Sequence, residues 1–365
     1  MPTGAGKTIT MIADAIKEFK KEEFQTIAVV SPRIMLTEQL SSEFLEYISN
    51  AHVMHCHTGE TQYFKSTRPN IIRTWTEGVE GHKLIFTTYN SLKKIQDSGI
   101  TVDTIYFDEA HNSVKSNFFP HVEYFSHFSN RCYFYTATRK TSTTLIKPGM
   151  NDYDVYGDII FRVSAPKLIQ SGYIVKPQLK VKKFDVINNK LIACQTDSEH
   201  LISTINDFNC NKILVCVKSS KQLINLMSET DFYNECQSRG YSCLYITSKT
   251  GAFIDGVKVT REEFFETLKQ WDKSPNKKFV CLHRSILSEG ISINSLDSVI
   301  FLRNMNVIEL TQTVGRTLRT APDKEFGLCV VPTYSKTGVS TQKSLQNVID
   351  VVFKNGEILD SVVKK

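Results

Sequence analysis

Short runs of β-branched and aromatic residues recur along this chain without polar alternation, and that pattern restricts its architecture more than any other feature. TIAVV at 26–30, KLIFTTY at 83–89, TIYF at 104–107 and CYFYT at 132–136 form a first set. KILVCV at 212–217, SCLYI at 242–246, KFVCL at 278–282, SVIFL at 298–302 and LCVVP at 328–332 form a second. Continuous apolar runs belong to strands buried on both faces of a parallel sheet. Helical patterns lie between them. Ile9, Ile12, Ile16 and Phe19 share a helix face, as do Leu36, Leu40, Phe44 and Ile48, and Thr260 with Glu263 makes a capping box ahead of Phe264, Leu268 and Trp271. Strand and helix alternate twice over, which predicts an α/β fold of two units in series with mostly parallel sheets.

At about 150 residues per domain, 365 residues agree with two units. Residues 140–180 interrupt the alternation with KPGMNDYD, Ser-Ala-Pro and Gly-Tyr-Ile-Val-Lys-Pro, so the junction is expected there. The expected division is 1–165 and 178–340, followed by a carboxy-terminal helix within 341–365 that carries Leu345, Val348 and Val352. The nine cysteines are odd in number and contain no CxxC pair, which excludes a disulfide framework and a zinc ribbon and leaves them as reduced core residues. No apolar run approaches the ~20 residues of a spanning helix, and no signal segment opens the chain, so a cytoplasmic or nuclear protein without a membrane partner is expected. The net charge of +6 permits an anionic partner without requiring one.

PTGAGKT at 2–8 leads directly into the first amphipathic helix. Glycines let backbone N–H groups converge on phosphate oxygens, and the helix amino terminus adds its positive end. Thr3, Gly4, Ala5 and Gly6 would cradle the phosphates, Lys7 would reach the terminal ones, and the Thr8 hydroxyl would ligate Mg²⁺. The full pattern GxxxxGKT would place its first glycine where Met1 stands, and a buried strand normally feeds such a loop. The first sheet is therefore expected to lack a strand, as though the chain were truncated.

A hundred residues on, Ile105-Tyr106-Phe107 delivers Asp108-Glu109-Ala110-His111 to the carboxyl end of a strand, where open α/β sheets place their ligands. Asp108 is suited to hold Mg²⁺ and Glu109 to orient and deprotonate an attacking water. Near the other end, taking about 100° per residue around Gln312, Arg316 falls near 40° and Arg319 near −20°. Val307, Leu310, Val314 and Leu318 cluster on the opposite side, so one helix is expected to show two guanidiniums and an amide on one uncovered face. HVMHCH at 52–57 has neither the i, i+4 spacing of a helical ligand pair nor a CxxC knuckle. Strand alternation sends His55 and His57 to the face opposite Cys56, and all three are read as packing residues. Trp75 and Trp271 are read the same way.

Together PTGAGKT, DEAH at 108–111, Thr136-Ala137-Thr138 and QTVGRTLR at 312–319 resemble motifs I, II, III and VI of the superfamily 2 helicases and translocases. SPRIMLTEQL at 31–40, TTYNSL at 87–92 and SEGISI at 288–293 resemble motifs Ia, Ib and V, in the family's order. The resemblance implies two tandem RecA-like P-loop domains with ATP between them, hydrolysed with Mg²⁺. It implies that Arg316 and Arg319 spread phosphoryl charge, that Gly290 and Gln312 lie near the nucleotide, and that His111, Thr136 and Thr138 couple nucleotide to strand. It places Pro32, Arg33, Thr88, Ser91 and Ser285 toward a nucleic-acid backbone. Ser292 stands where many members have Asp. Leu318 replaces the second glycine of the HRxGRxGR form, and QxxGRxxR resembles the DNA translocases of restriction, phage and repair systems, so DNA is favoured over RNA. Two other readings are a catalytically weak fragment that binds nucleic acid or docks in a complex, and a motor subunit whose nuclease or specificity partner is another chain.

Overall fold

Neighbouring residues of a single strand feed two different cores. In β1 (Thr26–Ser31), Ile27 and Val29 pack with Phe44, Phe86 and Met11, whereas Ala28 and Val30 pack with Ile85, Ile105 and Phe107. A strand placed this way must be apolar at successive positions, which is the pattern the sequence shows. Full burial of each large side chain stabilises the fold by about 1.5–3 kcal/mol.

A computed structural model describes residues 1–365 except 3, 145, 186–192, 209, 248–249, 285–292, 294, 322–323, 334–335 and 364–365. The chain divides into one unit of Met1–Val163 with Ile358–Lys365 and a second of Ser164–Glu357. In the first, β1 is joined by α1 (Lys7–Glu18), α2 (Ile34–Leu45), β2 (Ala51–Cys56), β3 (Phe64–Lys65), α3 (Pro69–Gly78), β4 (His82–Thr88), α4 (Leu92–Ser98), β5 (Thr104–Phe107), α5 (Phe119–Phe128) and β6 (Arg131–Phe134). These strands form an all-parallel sheet in the order β3-β2-β4-β1-β5-β6. At its β6 edge the Met1 ammonium donates to the Thr136 carbonyl at 3.0 Å, so the chain enters the phosphate loop beside that strand's end. Buried Glu18 ties α1 to the same strand through Arg131.

β7 (Lys140–Thr141) and α6 (Tyr153–Tyr156) complete this stretch. The second unit then runs through α7 (Ala165–Gln170), β8 (Lys176–Lys183), α8 (Ala193–Phe208), β9 (Lys212–Cys216), α9 (Ser220–Ser228), α10 (Phe232–Ser238), β10 (Ser242–Thr247), β11 (Gly251–Ile254) and β12 (Val257–Val259). It continues with α11 (Arg261–Lys273), β13 (Phe279–His283), β14 (Ser298–Phe301), α12 (Val307–Thr317), β15 (Phe326–Thr333) and α13 (Lys336–Val348), the last extended by a π-helical turn over Ile349–Lys354. Its sheet, β12-β11-β10-β13-β9-β14-β15-β8, is parallel except for the hairpin additions β11 and β12. As expected, Thr260 caps α11 by accepting from the Glu263 amide at 3.1 Å. The chain finally returns to its first unit, where β16 (Ser361–Val362) pairs parallel with β7 and Arg139 holds Asp360 in a two-pronged ion pair.

All nine apolar runs form strands of these sheets. The fold is therefore α/β, two units with mostly parallel sheets. All nine cysteines are free thiols, six of them buried. Among the described residues no helix is long and apolar enough to cross a membrane.

Candidate functional site

Parallel pairing puts the carboxyl ends of four strands on one edge of the first sheet. Ser31 sits opposite Thr88, Val30 opposite Phe107, and Phe107 opposite Phe134. The residues that follow, Pro32 and Arg33, Thr88 and Ser91, Asp108 and Glu109, and Thr136, therefore line a single edge. The phosphate loop joins them there: Lys7 Nζ lies 3.9 Å from Glu109 Oε1 across a sequence gap of about a hundred residues.

The loop is shaped by its glycines. Gly4 and Gly6 take φ of 82° and 81°, the left-handed region that other residues enter at a cost. A Cβ at Gly6 would meet nothing within 4 Å, so the backbone there faces open space. No side chain caps α1, whose first N–H groups remain available to an anion. Thr8 is partly exposed on the first turn. Thr3 lies outside the described residues.

Asp108 is buried at the end of β5, and the Tyr89 hydroxyl donates to its carbonyl at 3.0 Å. Burial, then the adjacent charge of Glu109, holds its carboxyl well above the usual carboxylate range against the opposing pull of Lys7. Glu109 adopts φ 46°, ψ 50°, a left-handed conformation rare outside glycine and of the strained kind found at functional positions. His111 Nδ1 lies 3.4 Å from Glu109 Oε2 and 3.2 Å from Thr136 Oγ1. Thr136 in turn donates to the Thr138 carbonyl at 2.9 Å. Burial lowers the His111 pKa, which favours the neutral ring in this relay.

Asp108 and Thr8 offer hard oxygen donors of the kind Mg²⁺ takes, and a buried carboxylate beside a second one is a setting that a divalent cation relieves. The residues present fit a magnesium-bound triphosphate. Without that cation the raised pKa destabilises the folded protein: the native state retains a proton the unfolded chain releases from about pH 3.9 upward, so stability falls as pH rises through the raised value. Asp108→Asn is expected to raise the Tm of the nucleotide-free protein by about 2–8 °C at pH 8, with a smaller gain at pH 5, in thermal melts. An equal or lower Tm at pH 8 would contradict this assignment of the buried charge.

On the strand side, Arg33 is exposed at the N-cap of α2, with its carbonyl accepting from Ser31 and Thr37 hydroxyls at 3.0 Å each. Thr88 is buried and its hydroxyl donates to Ser91 Oγ at 3.3 Å, so it shapes the turn into α4. Ser285 and Gly290, with Ser292 of the same motif, lie outside the described residues.

In the second unit, residues 310–318 are buried except Gln312 and Arg316, which surface one turn apart. The expectation of both arginines on one helix needs correction. The helix ends at Thr317 with Leu318 as its cap, and Arg319 lies beyond it in an antiparallel bridge to Ile174, while the Leu318 carbonyl accepts from the Val175 amide at 2.8 Å. Packing sets this end: a Cβ at Gly327 would come within 2.5 Å of the Thr317 carbonyl, so β15 approaches the helix terminus too closely for any side chain. Arg319 is partly exposed.

Sequence reasoning missed Tyr89, Asp14 and Glu38. Tyr89 steadies Asp108, Asp14 accepts from the Tyr106 hydroxyl at 2.8 Å, and Glu38 meets His55 and His57. Tyr89 and Glu38 fall within the runs TTYNSL and SPRIMLTEQL, but neither run indicates what these side chains meet, and Asp14 belongs to no motif.

Residues 1–141 match the family described as "Type III restriction enzyme, res subunit", and residues 187–321 match "Helicase conserved C-terminal domain". The chain is a superfamily 2 helicase-like protein. Solved structures agree on the fold. The helicase-like chain resembles the DNA-bound ATP-dependent Type ISP restriction-modification enzyme LlaBIII with a TM-score of 0.72 at 17% identity, covering 100% of this chain and 30% of that one. A nuclease-deletion mutant of the Type ISP enzyme LlaGI, in complex with a DNA substrate mimic, matches with a TM-score of 0.58 at 17% identity, covering 96% and 26%. Mycobacterium smegmatis helicase Lhr bound to ssDNA and AMP-PNP matches with a TM-score of 0.61 at 17% identity, covering 99% and 46%. The helicase-like chain thus spans less than half the length of each of these proteins. No curated protein sequence matches it.

Proposed function

We propose that this chain hydrolyses Mg²⁺-ATP and couples that reaction to movement along, or remodelling of, nucleic acid, with DNA the preferred track. The observation that carries the reading is the convergence of Lys7, Asp108 and Glu109 at one sheet edge, with His111 linking Glu109 to Thr136. Bound there, the magnesium ion supplies charge neutralisation for the phosphates. Thr3 to Gly6 offer backbone amides, Lys7 offers a cation, and Thr8 and Asp108 offer the metal ligands. Glu109 takes the proton of the attacking water. Arg316 and Arg319, with Gln312 and Gly290, are assigned to the nucleotide.

Pro32, Arg33, Thr88, Ser91 and Ser285 are assigned to the nucleic-acid side, with His111, Thr136 and Thr138 between the two functions. Contacts of this type grip the phosphate backbone and do not read sequence, so binding is expected to weaken steeply with salt. The test is ATP turnover with and without DNA or RNA, against Lys7→Ala. Stimulation by DNA of at least ten-fold, lost in Lys7→Ala, is the expected result. Equal turnover in the two proteins would end the catalytic proposal, and DNA binding retained without turnover would favour a docking fragment.

A second reading draws on the Type ISP resemblance. The chain covers 30% of LlaBIII and 26% of the LlaGI mutant, the proportions of a motor module within a larger machine. On that reading a nuclease or specificity function lies elsewhere, and DNA cleavage appears only when the partner subunit is added.

A further inference from the structure

The histidines of the HVMHCH run gain a partner in the folded chain. His55 closes β2 but for one residue and His57 follows the strand, so the two project to the same side, as positions i and i+2 must. Glu38, one turn into α2, meets both. Its Oε1 lies 3.0 Å from His55 Nδ1 and 2.9 Å from His57 Nε2, and the three atoms all fall within 4.8 Å of one another. His55 and His57 are 0% and 2% exposed.

His57 Nε2 is buried with the Glu38 carboxylate oxygen 2.9 Å away. A carboxylate oxygen and two imidazole nitrogens gathered within 4.8 Å of one another make a donor set that a divalent cation takes. At metal–ligand lengths of about 2.0–2.2 Å, tetrahedral neighbours stand roughly 3.3–3.6 Å apart with their lone pairs converging on the ion. The surroundings suit this. Ser41 Oγ lies 2.9 Å from His55 Nε2, so a proton kept on that nitrogen leaves the Nδ1 lone pair for a metal, the usual outer support of a histidine ligand. Thr61 Oγ1, 3.0 Å from His55 Nδ1, or a water entering past the one-third-exposed Glu38, completes four-fold coordination. The Gly59 amide donates to His57 Nδ1 at 3.2 Å, and that bond must open as the metal enters, because the ring proton then moves to Nδ1.

We propose that Glu38, His55 and His57 form a binding site for a divalent transition metal of the Zn²⁺ type, which clamps helix α2 to the end of β2. The consequence reaches the strand side, because α2 begins at Arg33, and fixing the helix fixes that guanidinium's mount. The site shares no residue with the proposed Mg²⁺ position, and its existence does not depend on ATP hydrolysis.

Cobalt serves as the probe. Metal-stripped, nucleotide-free protein is titrated with CoCl₂ and followed by visible absorption, in the wild type and in Glu38→Gln and His57→Gln. One equivalent with the strong visible bands of four-coordinate Co²⁺, displaced by Zn²⁺ and weakened at least ten-fold in both variants, is the expected result. Zn²⁺ should also raise the wild-type Tm and leave that of Glu38→Gln unchanged. Nine free thiols provide a built-in control: binding that persists at wild-type affinity in both variants belongs to cysteines and overturns the proposal, as does a wild type that takes up no stoichiometric cobalt. Glu38 is partly exposed, so its variant keeps the comparison valid even where His57→Gln fails to fold.

Discussion

Glutamine at position 109 is expected to cut nucleic-acid-stimulated ATP turnover by about 10²–10⁴-fold, the range over which a positioned general base contributes, while ATP still binds. Glu109 is the group whose carboxylate faces both Lys7, at 3.9 Å, and His111, at 3.4 Å. Glutamine keeps its size and its hydrogen-bonding carbonyl but cannot take a proton from water. Its backbone already occupies a strained left-handed conformation, and glutamine inherits that conformation unchanged. The measurement is single-turnover hydrolysis beside the affinity for a fluorescent ATP analogue. A turnover within three-fold of wild type would remove Glu109 from the base role. A parallel loss of nucleotide affinity would instead mark it as a binding group.

The second large effect is expected at Arg316. Its replacement by alanine should lower kcat by about 10³–10⁵-fold, as for an arginine that stabilises a transferring phosphoryl group. Lysine should rescue little, since a compact ammonium cannot reproduce the planar fork of a guanidinium. Arg316 is chosen over Arg319 on structural grounds: it surfaces from a helix whose neighbouring residues are buried, whereas Arg319 follows the helix cap in a bridge to Ile174. Arg319→Ala is expected to lower kcat as well. A wild-type kcat in Arg316→Ala would leave the second unit without its proposed catalytic part.

The sequence made the sheets legible because burial on both faces leaves no room for polar alternation, and the nine apolar runs carry that mark directly. Strands with other demands were harder to see. Lys176–Lys183 forms a sheet edge with four lysines and no fully buried residue, and Ala51–Cys56 hides its register behind His52 and His55. The phosphate loop and the carboxylate pair were visible because each is contiguous in sequence. Contacts between distant segments were not: Tyr89 reaches Asp108, and Glu38 reaches His55 and His57, only after the strands align. The wheel projection carried Arg319 onto a helix that ends two residues earlier, because angular periodicity contains no stop signal and the stop comes from β15 pressing Gly327 against Thr317.

The pairing of β16 with β7, backed by Arg139 and Asp360, makes the second unit an insert within the first, anchored at both ends. Closing so long an insert costs little more than closing a short one, because loop-closure entropy grows only with the logarithm of length, and the Arg139–Asp360 pair with the two-residue strand secures the return.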